Sequence, residues 1–275
     1  MLFLAFAAIF LIFWAVVYAT LPAIRHLGQL LARLIARSAH VTRFVSTTGE
    51  RYRNYRPVAA TLIAGGLLTA LAGDGFMDLA EKVHAKNGAL ERLDTSVHDW
   101  AVGERTAGAT IFFTTMSDIG GPPGVGVVLF VVSVVLAFRR RWRWVIYLII
   151  TAAGGGLLDL ELKRYFARAR PAVAEMLRAA TGYSFPSGHA MGSAIAFGAL
   201  AYLAFRGIRS WPARAAVIAF LYTLVAAVAL SRVYLGVHWV SDVAGGIAAG
   251  TVWVTTTTVA YETMRRIRRP ARPAA

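Results

Sequence analysis

Three short groups of polar residues stand out of an otherwise apolar chain: Lys163 and, after six residues, Arg170-Pro171; Pro186-Ser187-Gly188-His189; and Ser231-Arg232 with His238 and Asp242 beyond. His238 and Asp242 are four apart, so on a helix they share a face. The carboxylate can then hold one imidazole nitrogen and leave the other a better nucleophile. Ser187 suits a helix N-cap, where free backbone N–H groups and the helix dipole favour an anion, and His189 in that first turn can pass a proton to a leaving oxygen. Lys163, Arg170 and Arg232 bring positive charge. The set fits imidazole attack on a bound oxyanion. A His/Asp pair can also hold a metal, but three cations at the same place repel a divalent ion and no third ligand cluster exists. The reading is therefore free of metal and cofactor.

Taken singly, each group has a plainer explanation. His-x-x-x-Asp occurs at ordinary helix starts, and Pro-Ser-Gly-His is a capped helix with an incidental histidine. The plainer account of the cations is salt bridges or lipid headgroup contacts. Six of them, Lys163, Arg164, Arg168, Arg170, Arg178 and Arg232, lie in or beside the groups, while Glu175 and Asp242 are the nearby acids outside apolar runs. Two acids cannot pair six cations, so an anionic ligand is expected.

The elements that position these residues are set by composition. Of 275 residues, 57% are hydrophobic and 16% charged, and mean hydropathy is +0.58. A helix needs roughly 20 mostly apolar residues to cross a bilayer. Seven stretches qualify or nearly do: 2–21, 58–73, 123–138, 145–162, 190–205, 215–230 and 243–260. The chain reads as all-α, a polytopic transmembrane helix bundle. Cysteine is absent, which excludes disulfides, cysteine-metal sites and thiol catalysis.

The net charge of +15 would suggest nucleic acid in a soluble protein. Here the arginines cluster between apolar runs, at 25–56, 139–143, 206–214 and 265–272, which predicts membrane topology and no nucleic-acid partner. These clusters mark the cytoplasmic side. The N-terminus then lies outside, the C-terminus inside, and the acidic segment 74–118 outside with all three polar groups.

The first run has no basic n-region and no clear cleavage site, so it reads as an uncleaved span, with a secretory signal as the alternative. Leu27, Leu30, Leu31, Leu34 and Ile35 recur at helical spacing beside Arg25, Arg33 and Arg37. They predict a cytoplasmic interfacial helix or, equally, a helical linker. Leu90, Leu93, Val97 and Trp100 predict a second amphipathic helix on the outer surface. Gly154, Gly155, Gly156, Gly245 and Gly246 lie inside spans and read as helix-packing positions, not phosphate loops.

At the three groups the sequence resembles the type 2 phosphatidic acid phosphatase family, whose signature runs Lys-x6-Arg-Pro, Pro-Ser-Gly-His and Ser-Arg-x5-His-x3-Asp. Every signature position is matched, over about residues 58–260. Soluble vanadate haloperoxidases share the anion-binding pattern, but this chain has no soluble body like theirs. The resemblance implies that His238 attacks phosphorus and becomes a phosphohistidine, Asp242 orients it, and His189 protonates the departing group. It also implies that Lys163, Arg170, Ser187, Gly188 and Arg232 hold the phosphate. The implied architecture is a six-helix phosphatase core at 58–262, preceded by an extra span and basic segment at 1–57 and followed by a basic tail at 263–275. The implied substrate is a lipid phosphate or diphosphate, undecaprenyl diphosphate foremost, with phosphatidylglycerophosphate, phosphatidic acid and lipid A phosphates as alternatives. The implied setting is a bacterial inner membrane with an outward-facing site. A rival of another class is a non-hydrolytic lipid-phosphate binder or transporter, which needs the cations but not the paired histidines.

Overall fold

A chain this apolar must satisfy its backbone hydrogen bonds internally, and the computed structural model does so with helices. It describes residues 7–20, 22 and 56–267. The anticipated interfacial helix at 27–35 and the tail beyond residue 267 lie outside these. The helices are α1 (Ala7–Thr20), α2 (Arg56–His84), α3 (Gly88–Gly103), α4 (Ala107–Gly120), α5 (Pro122–Phe138), α6 (Trp142–Phe166), α7 (Gly188–Gly207), α8 (Trp211–Tyr234) and α9 (Val240–Ile267). A single 3-10 turn, Val173–Glu175, interrupts the α6–α7 loop, and no strand occurs among the described residues.

Five helices, α2, α6, α7, α8 and α9, are long and apolar enough to cross a membrane. The pair α4 and α5 bends by 53° and supplies up to a sixth crossing. The bend falls where Gly121 precedes Pro122 and Pro123, whose missing N–H groups cost nothing in a first turn. α9 has 28 residues, a length of about 42 Å. Local chemistry sets other ends: the Asn87 side chain caps α3, Thr106 caps α4, and α6 stops where Ala167 turns left-handed at φ 44°.

The crossing helices α6, α7, α8 and α9 alternate in direction, so the C-terminal ends of α6 and α8 meet the N-terminal ends of α7 and α9. All three polar groups share that end. The arginines at 139–143, 206–214 and 265–266 occupy the opposite one, around Trp144, Tyr147, Tyr202 and Tyr261. α1 lies along α8, with Phe13 stacked on Tyr222 and Tyr18 near Trp211, and so runs antiparallel to it.

α7 and α9 form the centre, and small residues let them close. A Cβ on Gly246 would stand 2.6 Å from the Ser187 carbonyl oxygen and 3.1 Å from Ala190 Cβ. One on Gly250 would stand 2.8 Å from the Met191 carbonyl oxygen. Gly155 likewise meets Ile195 and Trp253, as packing glycines do, but Gly156 faces open space. α3 departs from the simple amphipathic expectation. Val97 packs inward, but Leu93 and Trp100 are exposed, and the buried positions are Asp94, His98 and Ala101. Two polar residues of this helix, Asp94 and His98, are turned into the protein, while Glu91, Arg92 and Asp99 stay exposed.

Because Gly246 touches backbone rather than a flexible tip, Gly246→Val cannot be absorbed locally. We expect a loss of about 1–3 kcal/mol, read as a lower thermal midpoint in detergent, with Gly156→Val as the near-neutral control.

Candidate active site

Asp242, in the first turn of α9, is fully buried and organises the site through both its side chain and its backbone. Oδ1 accepts from Arg168 Nη1 at 2.7 Å, and Oδ2 accepts from the Trp239 N–H at 2.9 Å and from the Ser184 hydroxyl. Its carbonyl oxygen accepts from the Ser187 N–H at 2.9 Å, tying α9 to the turn that begins α7. The Phe185-Pro186 bond in that turn is cis.

His238 sits on the α8–α9 loop, 2% exposed. Its Nδ1 lies 3.4 Å from both Asp242 Oδ2 and Ser184 Oγ, and its Nε2 lies 3.0 Å from Arg170 Nη1. A guanidinium can only donate, so Nε2 is the acceptor and the ring proton belongs on Nδ1, facing the carboxylate. Burial pushes His238 from the ordinary histidine value down to about 4; Asp242 opposes the shift, and Arg170 and Arg232 reinforce it. The ring is a neutral base through the physiological range.

Arg170 uses all five N–H donors within the protein: Nε on the Gly182 carbonyl, Nη2 on those of Thr181 and Tyr183, and Nη1 on the Val237 carbonyl and His238. Burial lowers its affinity for its proton. To hold an anion it must release some of these bonds. Lys163 donates to Asp159 Oδ1 and to the Pro186 carbonyl oxygen, both at 2.6 Å. A Cβ on Gly188 would stand 3.1 Å from its Nζ. Arg232 is 5% exposed, donates through Nη1 to Ser117 of α4, and leaves a buried Nε without a partner. Ser187 occupies the N-cap position of α7 but makes no capping bond. Its buried hydroxyl also lacks a partner. His189 shares its surroundings with Arg232, His238, Lys163 and Arg170. All eight anticipated residues therefore gather at one end of the bundle.

The expected shortage of acids does not hold. Arg168 pairs with Asp94 and Asp242, Arg178 with Asp118, Lys163 with Asp159, and Arg164 with Glu161. Asp94 and Asp118 lie far along the chain, beyond the reach of a local tally, and Asp159 and Glu161 lie one turn away inside an apolar run that the tally set aside. What survives is narrower: among the described residues Arg170 and Arg232 pair with no carboxylate, and they flank the two histidines. Sequence reasoning also gave no role to Arg168, Ser184, Ser117 or Asp94. Arg168 was visible as a cation, whereas Asp94, 74 positions from its partner, carried no local signal.

Beside this end, a cleft of about 740 Å³ opens between α2 and α6, lined in part by Phe76, Met77, Ala80, Leu162 and Phe166. A smaller cavity of about 280 Å³ between α6 and α9 opens at the opposite end, away from the histidines.

A multi-pass helix bundle with basic and nucleophilic groups gathered at one end defines a membrane-embedded phosphatase, and comparison with known proteins agrees. The sequence pattern of the PAP2 superfamily matches residues 125–266, and the chain belongs to that superfamily. It is 28% identical over 177 residues to "Phosphatidylglycerophosphatase B" of Bacillus subtilis (strain 168), covering 64% of this chain and 85% of the relative. It is 32% identical over 135 residues to "Putative undecaprenyl-diphosphatase YbjG" of Escherichia coli (strain K12), covering 45% of this chain and 64% of the relative. The crystal structure of a transmembrane PAP2 type phosphatidylglycerolphosphate phosphatase from Bacillus subtilis superimposes with a TM-score of 0.66 at 24% identity. That match covers 74% of this chain and 98% of the other.

The electrostatics of His238 can be read without turnover. Ring-nitrogen NMR of the detergent-solubilised protein is expected to titrate His238 near pH 4 with the proton on Nδ1 above it. A midpoint at or above the ordinary histidine value would contradict the burial argument.

Proposed function

We propose that this phosphatase hydrolyses a lipid phosphate or diphosphate through a phosphohistidine, with undecaprenyl diphosphate as the physiological substrate. The observation that carries the reading is the convergence of His189, His238, Arg170 and Arg232 from separate segments upon one pocket, with Ser187 and Arg232 holding unpartnered buried donors there. In the proposed reaction a phosphoryl group enters beside Arg170 and its oxygen accepts the Nη1–H that was donated to His238 Nε2, freeing that nitrogen's lone pair. Nε2 attacks phosphorus in line while Asp242 faces the Nδ1 proton. The P–O bond to the lipid breaks, and His189 gives its proton to the departing oxygen, the bound phosphate's charge favouring the imidazolium. Lys163, Arg170, Arg232, Ser187 and the Gly188 amide take up charge on the equatorial oxygens. His189, now neutral, removes a proton from water, which attacks phosphorus and breaks the P–N bond, releasing inorganic phosphate.

The cleft between α2 and α6 supports a lipid substrate, since Phe76, Met77, Ala80, Leu162 and Phe166 give a hydrocarbon tail a place beside the site, with Asp74, Asp78, Glu81 and His84 also on its wall. Similarity to phosphatidylglycerophosphatase B supports phosphatidylglycerophosphate as the second reading. A binder or transporter would need the cations, but not a buried carboxylate fixing the tautomer of a neutral imidazole. Arginines at the far end support an outward-facing site in an inner membrane, and the direction of α1 supports an outside N-terminus. We assign 58–262 as the catalytic core, with 1–57 and 263–275 as additions.

Purified protein with a panel of isoprenoid diphosphate, phosphatidylglycerophosphate, phosphatidic acid and lipid A at equal surface density tests the reading. We expect the isoprenoid diphosphate to give the highest kcat/KM, a reaction stopped in alkaline detergent to retain acid-labile, base-stable labelled phosphate on the protein, and His238→Ala to lose on the order of 10⁴-fold or more in kcat. Asp242→Asn is expected to lose about 10³- to 10⁴-fold. Wild-type turnover by His238→Ala would end the enzyme mechanism, and a preference for phosphatidylglycerophosphate would replace only the substrate.

A further inference from the structure

α3 has no part in the three motifs and precedes residues 125–266, yet it delivers a carboxylate to the site. Asp94 is 2% exposed. Its Oδ2 accepts from Arg168 Nη2 at 2.7 Å and from Ser241 Oγ at 2.6 Å, and its Oδ1 accepts from the Ser241 N–H at 3.0 Å. On the same guanidinium, Nη1 donates to Asp242 Oδ1 at 2.7 Å and to Ser241 Oγ at 2.6 Å. One cation is thus divided between two buried carboxylates.

Charge counting gives this arrangement its consequence. Arg168 and Asp242 alone would sum to zero, and the guanidinium would offset part of the field that Asp242 exerts on His238. With Asp94 added the triplet carries one net negative charge. A part that only stapled α3 to α9 would need just the two Ser241 contacts, which a neutral amide can also make. The ionised carboxylate matters through Arg168.

We propose that Asp94 is a positioning residue of the phosphatase reaction, holding Arg168 so that Asp242 keeps a net negative charge against His238. The inference rests on His238 as nucleophile and Asp242 as its partner. It adds a residue that acts through another pair and touches no substrate.

The test uses full-length protein in detergent with farnesyl diphosphate as probe. His238 is faced by Asp242 from α9, Arg170 and Ser184 from the α6–α7 loop and Arg232 from α8, while His189 from α7 and Lys163 from α6 share the pocket. Among these Asp242 is the sole anion. Asp94→Asn makes these surroundings one charge more positive, which disfavours the imidazolium. The acid limb of kcat/KM therefore moves to lower pH, by about half a unit. A less basic, less well-held imidazole attacks more slowly, so kcat falls roughly tenfold or more while KM stays within about twofold. A kcat within about twofold of wild type, or a lower kcat with an unmoved acid limb, overturns the proposal; the latter is what a staple alone would give. If Asp94→Asn does not yield folded protein, Arg168→Gln carries the test with the opposite sign. Removing the cation moves the limb to higher pH, and an unmoved limb again overturns the proposal. His238→Ala, run alongside, separates the failures: if it is active the nucleophile assignment falls, and if it is inactive while Asp94→Asn behaves as wild type, only the present inference falls.

Discussion

Burying an ionised carboxylate is costly unless every lone pair finds a donor, and Asp242 shows what must be assembled to do it. Its side chain collects a guanidinium, a hydroxyl and a backbone N–H while its carbonyl oxygen receives the Ser187 N–H. Those donors come from the α6–α7 loop, from the residues just before α9, and from the turn that starts α7. Satisfying this one aspartate therefore brings three segments together, and His238 is held in the same step. Gly246 and Gly250 make it feasible, since a side chain at either would keep α7 from approaching α9.

The same low-dielectric surroundings define the chemistry. An imidazole that cannot easily become charged remains a base, and cations without carboxylate partners exert a field that water would screen elsewhere. Membrane helices permit this concentration because their backbones are self-satisfied and leave the end of the bundle to side chains. The opposite end solves a different problem. There buried Glu262 binds Arg265, Arg266 and Tyr202, and an aromatic cluster closes the bundle.

Much of this was legible in the chain. Of the seven apolar runs, five became helices long enough to cross and 123–138 became half of the bent α4–α5 pair, while 2–21 is represented among the described residues by the shorter α1. The three motifs named the eight candidate residues that gather at one end of the bundle, because a helix start, an i, i+4 pair and a proline-ended turn are local features. Partners across the bundle were not legible. The count of nearby acids misjudged the cations, since Asp94 and Asp118 reach them from other helices and Asp159 pairs Lys163 from inside an apolar run that the count set aside. The stripe of α3 suggested an outward polar face, whereas Asp94 and His98 turn inward to meet Arg168 and Glu175.

The sequence by itself determined the helical class, the crossing segments and the identities of the groups able to do chemistry, since each follows from composition or from neighbours within one or two turns. Tertiary structure alone decided which nitrogen of His238 is the acceptor, which cations remain without a carboxylate, and that Arg168 serves two acids. These are consequences of distance between segments tens of residues apart. No periodicity along a chain encodes such distances; they arise when buried charges are required to find partners.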